Sequence, residues 1–199
     1  MTMNKKFLII LMITSVLDTV FVTGCTENVK NISSPSPAAS TATTKMKTIK
    51  LTSPALTAGG PIPPGFTCTG KNDSPPLSFG AAPEGTKSLA VICEDPDAPS
   101  GTFIHWILYN IPPGTTSLPQ GIARNRVFPD GSAHGLNDFG KTEYGGPCPP
   151  PGKPHRYFFR LYALDTLLHP TAPVTRKSID AAMQGHILGQ GELMGTFGR

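Results

Sequence analysis

A mainly antiparallel β fold with a few peripheral helices is predicted by three features of the sequence. Glycine and proline are abundant, 21 and 22 of 199 residues, so much of the chain runs in turns rather than long helices. Three apolar runs, Ser88–Glu94, Phe103–Ile111 and His155–Leu164, are rich in branched and aromatic residues and bounded by turn residues. Only one segment near the C-terminus carries a helical period.

Lys5 and Lys6 precede the apolar run Phe7–Leu17, and Val22-Thr23-Gly24-Cys25 follows. A basic start, a short apolar stretch and small residues before a cut describe a secretory leader over residues 1–24. The run is shorter than the roughly 20 residues that span a bilayer. Val-Thr-Gly-Cys resembles the lipobox of prokaryotic lipoproteins, which makes Cys25 the candidate lipidated residue; an uncleaved anchor is the alternative. Residues 25–46 carry almost no large apolar side chain and read as a flexible Ser/Thr/Pro-rich tether. One domain is expected over residues 47–199. The predicted location is extracytoplasmic, on a membrane, held by the N-terminal lipid.

Within the domain, Thr48–Leu51 is a candidate first strand. Ser88–Glu94 is continuously apolar, as a central strand is. Ile179, Ala182, Met183, His186 and Ile187 recur at i, i+3, i+4, i+7 and i+8, which predicts a helix with Ser178 as N-cap and Gly189 at its end. Glu192–Phe197 reads as a closing strand. The net charge of +4 is spread without a Lys/Arg block, so no nucleic-acid surface is expected.

Strand alternation puts His155 and Tyr157 on one face, and His105 on one face with Phe103, Ile107, Tyr109 and Ile111. Trp106, on the other face, reads as core. His186 reads as structural on the apolar helix face, and His134 and His169 as exposed loop residues. Asp95-Pro96-Asp97-Ala98-Pro99 follows the buried run, and its prolines stiffen two carboxylates at a strand end. One carboxylate can orient a histidine and the other can hold backbone N–H groups; spacing does not say which does which. Gly145–Gly152 is a proline-rich loop that runs towards His155. Cys93 reads as a buried thiol. Cys68 and Cys148 lie in Gly/Pro-rich loops and are candidates to pair, which spacing alone does not decide.

Asp95-Pro96-Asp97-Ala98-Pro99, His105-Trp106, Gly146-Pro147 with its proline run, and His155-Arg156-Tyr157 together resemble the two signature regions of the phosphatidylethanolamine-binding protein, or Raf kinase inhibitor protein, family. Tyr109-Asn110-Ile111-Pro112, Asn137-Asp138-Phe139-Gly140 and Gly185-His186-Ile187-Leu188 are similar to its bacterial and archaeal branch. The resemblance implies a large antiparallel sheet packed on a smaller one. It also implies a pocket for phosphate-like anions or phosphorylated head groups, formed by Asp95, Asp97, Pro99, His105, Gly146, His155 and Tyr157. It implies a binding protein rather than an enzyme, with no cofactor and with an unidentified protein target. Two alternatives stand beside it: a metal-dependent hydrolase using the His/Asp cluster, and an interaction module with a vestigial pocket.

Overall fold

The computed structural model describes residues 46–199. The leader, Cys25 and the tether up to residue 45 lie outside the described residues. The described elements are β1 (Lys47–Thr48), β2 (Leu51–Thr52), a single 3-10 turn (Pro64–Phe66), β3 (Leu77–Phe79), β4 (Ser88–Asp95) and β5 (Phe103–Ile111). They continue with β6 (Ser117–Leu118), β7 (Ala133–His134), β8 (His155–Leu164), α1 (Arg176–Met183) and β9 (Ile187–Phe197). A six-stranded sheet has the order β1-β9-β8-β4-β5-β7, and a three-stranded sheet the order β2-β3-β6. The mainly β architecture of a larger and a smaller sheet is therefore the one expected.

One edge of the large sheet differs from expectation: β1 runs parallel to β9, while the other pairings are antiparallel. The predicted first strand is two short pieces. Lys47–Thr48 pairs with β9, the chain crosses over, and Leu51–Thr52 pairs with β3 in the small sheet. The three long strands keep their predicted positions: β4, whose run is continuously apolar, is buried along its whole length between β5 and β8.

Both faces of the large sheet are covered. Leu89, Val91 and Cys93 of β4 and Tyr157, Phe159 and Leu161 of β8 point into the core shared with Leu51, Leu77 and Leu118 of the small sheet. Ala90, Ile92, Tyr162 and Leu164 point the other way, where Ile179 and Met183 of α1 cover them. Trp106 is fully buried and Cys93 is a buried free thiol.

Strand β5 corrects the alternation argument. Cys93 pairs with Trp106 but Glu94 pairs with Ile104, so the register slips by one residue at His105. Ile104 and Ile107 therefore share the helix-covered face, while Trp106 and Leu108 share the inter-sheet core. His105 does not share a face with Ile107. An extra residue in one strand is a β-bulge, which re-aims its side chain locally.

The helix is also shifted. It starts at Arg176, capped by Thr175, with Ser178 at the third helical position completing a reciprocal capping box. It stops at Met183, and Gly185, at a φ of 81°, turns the chain before His186. Ile187 opens β9, and Gly189 lies inside that strand. His186 is exposed and binds Asp165 at 2.7 Å. His134 was expected in an exposed loop but is buried in β7, where its Nδ1 accepts the Trp106 indole N–H at 3.0 Å.

Candidate functional site

The C-terminal end of β4 and the N-terminal ends of β5 and β8 meet at one end of the sheet. Antiparallel pairing puts them there: Asp95 lies opposite Phe103, and His155 lies at the start of β8 beside them. They form the wall of a cavity of ≈ 260 Å³, lined by Asp95, Pro99, His105 and His155 with Phe103 and Phe139, and closed by Cys148, Pro149 and Pro150. This lies just below the about 300–1,000 Å³ of pockets for drug-sized ligands, so it suits a small one.

Asp95 takes both roles that the sequence left open. Its Oδ2 accepts from His155 Nδ1 at 2.8 Å, and its Oδ1 accepts the backbone N–H of Asp97 at 2.8 Å. Asp97 instead holds the neighbouring strand. It accepts the Arg156 backbone N–H at 2.9 Å and the Arg156 guanidinium at 2.7 and 2.9 Å. Those hydrogen bonds hold its carboxyl at about 2, below the usual range.

His105 is fixed from the opposite wall. Its Nδ1 donates to the Gly145 carbonyl at 2.7 Å, while its own carbonyl accepts Gly145 N–H at 3.0 Å. The bulge sits at this residue, so the strand distortion and the pocket loop hold the ring together. Burial pushes the His105 ring below its ordinary value, so the ring is neutral at neutral pH. Both histidines thus use Nδ1 as a fixed donor. Among the described hydrogen bonds, none uses Nε2 of either ring, and a neutral ring then offers a lone pair there.

Four of the seven predicted pocket residues line the cavity: Asp95, Pro99, His105 and His155. Asp97 does not; it is spent on Arg156. Gly146 does not either. Its N–H donates to Asn72 Oδ1 at 2.8 Å, and a Cβ there would stand 2.3 Å from the Phe66 carbonyl oxygen. Its glycine serves a close approach of two backbones, not of backbone and ligand. Tyr157 is fully buried, and its hydroxyl has no hydrogen-bond partner among the described residues. Burial raises its ionisation strongly, and the Asp95 carboxylate adds to the effect, so it stays a neutral phenol.

The aromatic wall was missed. Phe103, His105 and Phe139 cluster with ring centroids 4.8–5.4 Å apart, Phe139 edge-on to both of the others. Phe103 was findable, since it sits two residues before His105 in the strand. Phe139 comes from a loop held by Asn137, whose Oδ1 accepts the N–H groups of Phe139 and Lys141, and no local pattern points from there to the site. Asn72, at a φ of 60°, is another omission. The structure joins Cys68 to Cys148, with Cα atoms 5.4 Å apart. Among the described residues no group of three or more His, Cys, Asp and Glu side chains could hold a metal ion.

Comparison with known proteins supplies the context. The sequence profile described as phosphatidylethanolamine-binding protein matches residues 52–198. A UPF0098 protein of Methanothermobacter thermautotrophicus is 50% identical over 140 residues, covering 70% of this chain and 92% of that protein. One from Chlamydia pneumoniae is 47% identical over 154 residues, 75% of this chain and 98% of that one. A solved phosphatidylethanolamine-binding protein homologue from Chlamydia trachomatis superposes with a TM-score of 0.69 at 42% identity, covering 77% of this chain and 99% of the other. Escherichia coli YbcL, described as a new member of the mammalian family, superposes with a TM-score of 0.70 at 34% identity, covering 76% and 98%.

Proposed function

The chain belongs to the phosphatidylethanolamine-binding protein family, and on that premise we propose that its cavity binds a small phosphate-like anion or phosphorylated head group between His105 and His155. The observation that carries this reading is the paired fixation of the two rings. Asp95 and the Gly145 carbonyl each hold an Nδ1–H, which leaves both Nε2 atoms for a ligand in the cavity they line.

Proton balance then shapes the binding. The carboxylate of Asp95 repels an anion until a neighbouring histidine is charged. A neutral ring at Nε2 accepts a proton from a P–OH group, and a charged ring donates one to a P–O⁻ oxygen; both descriptions are the same complex. Anion and proton therefore bind together. The apolar rings of Phe103 and Phe139 and the prolines exclude water, which strengthens each charge-assisted hydrogen bond.

We place this binding module outside the cytoplasm, tethered by a lipid on Cys25, with regulation of a partner protein as its role. The leader-like sequence and the lipobox resemblance support that location. A Cys25→Ser variant should leave the membrane fraction; if it stays there to the same extent as the unaltered protein, the lipid anchor is wrong. For the pocket, calorimetric titration with inorganic phosphate and phosphoryl head groups should show one weak site, lost in His155→Ala and reduced in Asp95→Ala. Unchanged affinity in both variants would falsify the assignment.

A further inference from the structure

We infer that the Cys68–Cys148 disulfide is a reversible modification site, a latch that a dithiol reductant opens and that controls the wall of the anion cavity; the link to ligand affinity rests on the anion reading above.

That wall is held in two different ways. Up to Pro147 the loop is tied down by hydrogen bonds. Tyr144 donates its hydroxyl to the Phe66 carbonyl at 2.8 Å, Gly146 N–H donates to Asn72, and Cys68 N–H donates to the Pro147 carbonyl at 3.1 Å. From Cys148 onwards the chain reads Cys-Pro-Pro-Pro-Gly. Three consecutive prolines have no N–H to donate, so this stretch cannot be pinned by backbone donors of its own. Pro149 is buried by packing, and among the described hydrogen bonds only Arg199 reaches the segment, through its Nε to the Pro149 carbonyl at 2.6 Å and its own carbonyl to Gly152 N–H at 3.2 Å. The bridge at Cys148 is therefore the covalent anchor at the start of the segment that supplies Cys148, Pro149 and Pro150 to the cavity.

The bridge is also accessible. Cys68 is exposed in a surface loop, while Cys148 is half-buried at the cavity. The thiolate of a dithiol reductant can attack Cys68 Sγ, breaking the protein S–S bond and releasing Cys148 as a thiolate that takes up a proton. The second thiol of the reductant then resolves the mixed disulfide and frees Cys68. Two electrons pass from the reductant, which leaves as its own disulfide. The sheets lose no hydrogen bond in this exchange. Cys93, the remaining thiol in the described residues, is fully buried, and burial raises its ionisation well above the ordinary value, so it does not compete.

The test uses the folded protein, oxidised, then treated with dithiothreitol and freed of it, then reoxidised. Hydrogen exchange at Gly145, Gly146, Cys148 and Gly152 should accelerate on reduction and return on reoxidation, and in the reduced protein these amides should exchange well before those of β4 and β8, which open only with the whole fold. Phosphate affinity should fall at least about tenfold on reduction, which is about 1.4 kcal/mol. A Cys68→Ser variant should behave as the reduced protein and ignore dithiothreitol. Exchange that does not change on reduction overturns the latch. Faster exchange with unchanged phosphate affinity overturns its control of the site. If the oxidised protein binds no phosphate, the anion reading has failed, and the exchange data still decide the latch. A denatured, unreduced sample with Cys68 and Cys148 both titrating as free thiols overturns the proposal outright.

Discussion

At the scale of single residues, the site is governed by where protons sit. Asp95 fixes the tautomer of His155 and a backbone carbonyl fixes that of His105. Burial lowers the ring value of His105, so under the proposed function capture of a phosphate dianion takes up a proton. We expect the calorimetric heat at about pH 7.5 to depend on the ionisation enthalpy of the buffer, with a slope that reports uptake; a slope of zero contradicts the account. Asp97 lies outside the cavity lining. Replacing it with Ala removes three hydrogen bonds to Arg156. That pair is largely exposed, so denaturant unfolding should show a loss of only about 1 kcal/mol, with a modest loss of phosphate affinity. The residue identities of this site were largely legible in the sequence: rigid carboxylates at one strand end and histidines at two strand beginnings belong together wherever the strands pair antiparallel. The division of labour between Asp95 and Asp97 was not legible, because it depends on β8 passing beside the loop. The depth of Tyr157 was not legible either. Strand alternation gives the face of a side chain but not its depth, and Tyr157 lies in the core rather than at the cavity surface.

At the scale of elements, two local irregularities set the pocket. The bulge at His105 shifts the phase of β5, and Gly146 lets the loop after Tyr144 lie against the Pro64–Phe66 turn. A Gly146→Ala variant must push a Cβ into the Phe66 carbonyl, a backbone atom that cannot swing away. It should cost about 1–3 kcal/mol in denaturant unfolding and weaken phosphate binding by loosening the wall; stability and affinity equal to the parent would show that the close approach is unimportant. The three long strands were readable from their apolar runs. The bulge was not, since one added residue leaves composition and hydropathy untouched. The helix was readable in type but not in limits: the apolar period continues through His186 and Ile187, but Gly185 turns the chain and β9 recruits Ile187 by pairing it with Leu164. The two-residue strands β6 and β7 carry too few residues for any period to show.

At the scale of the whole molecule, stability depends on buried neutral histidines and on the Cys68–Cys148 link. Burial lowers the ring values of His105 and His134 below those of the unfolded chain. The folded state then binds fewer protons than the unfolded state below about pH 6.5, so stability is fully present above that pH and declines as pH falls towards the folded values. Unfolding in phosphate-free buffer should show this decline, at most about 1.4 kcal/mol per pH unit for each ring. His134 has the sharper structural stake, because a proton on Nδ1 removes the acceptor for Trp106. A flat stability curve between about pH 7 and 5 would contradict the neutral assignment of both rings. The disulfide spans 80 residues in sequence; a closed loop of that size restricts the unfolded chain by about 4–5 kcal/mol. A Cys68→Ser, Cys148→Ser double variant should lose an amount of that order in chemical denaturation while keeping the β-rich far-ultraviolet signature.

The most direct measurement is calorimetric titration of inorganic phosphate into the oxidised protein and into its His155→Ala variant at about pH 7.5 and about pH 5.5, near either side of the ordinary histidine value. The account predicts one saturable site in the parent, binding that takes up a proton at the higher pH and less of one at the lower, and no measurable binding in the variant. Equal affinities in parent and variant, at both pH values, would contradict it.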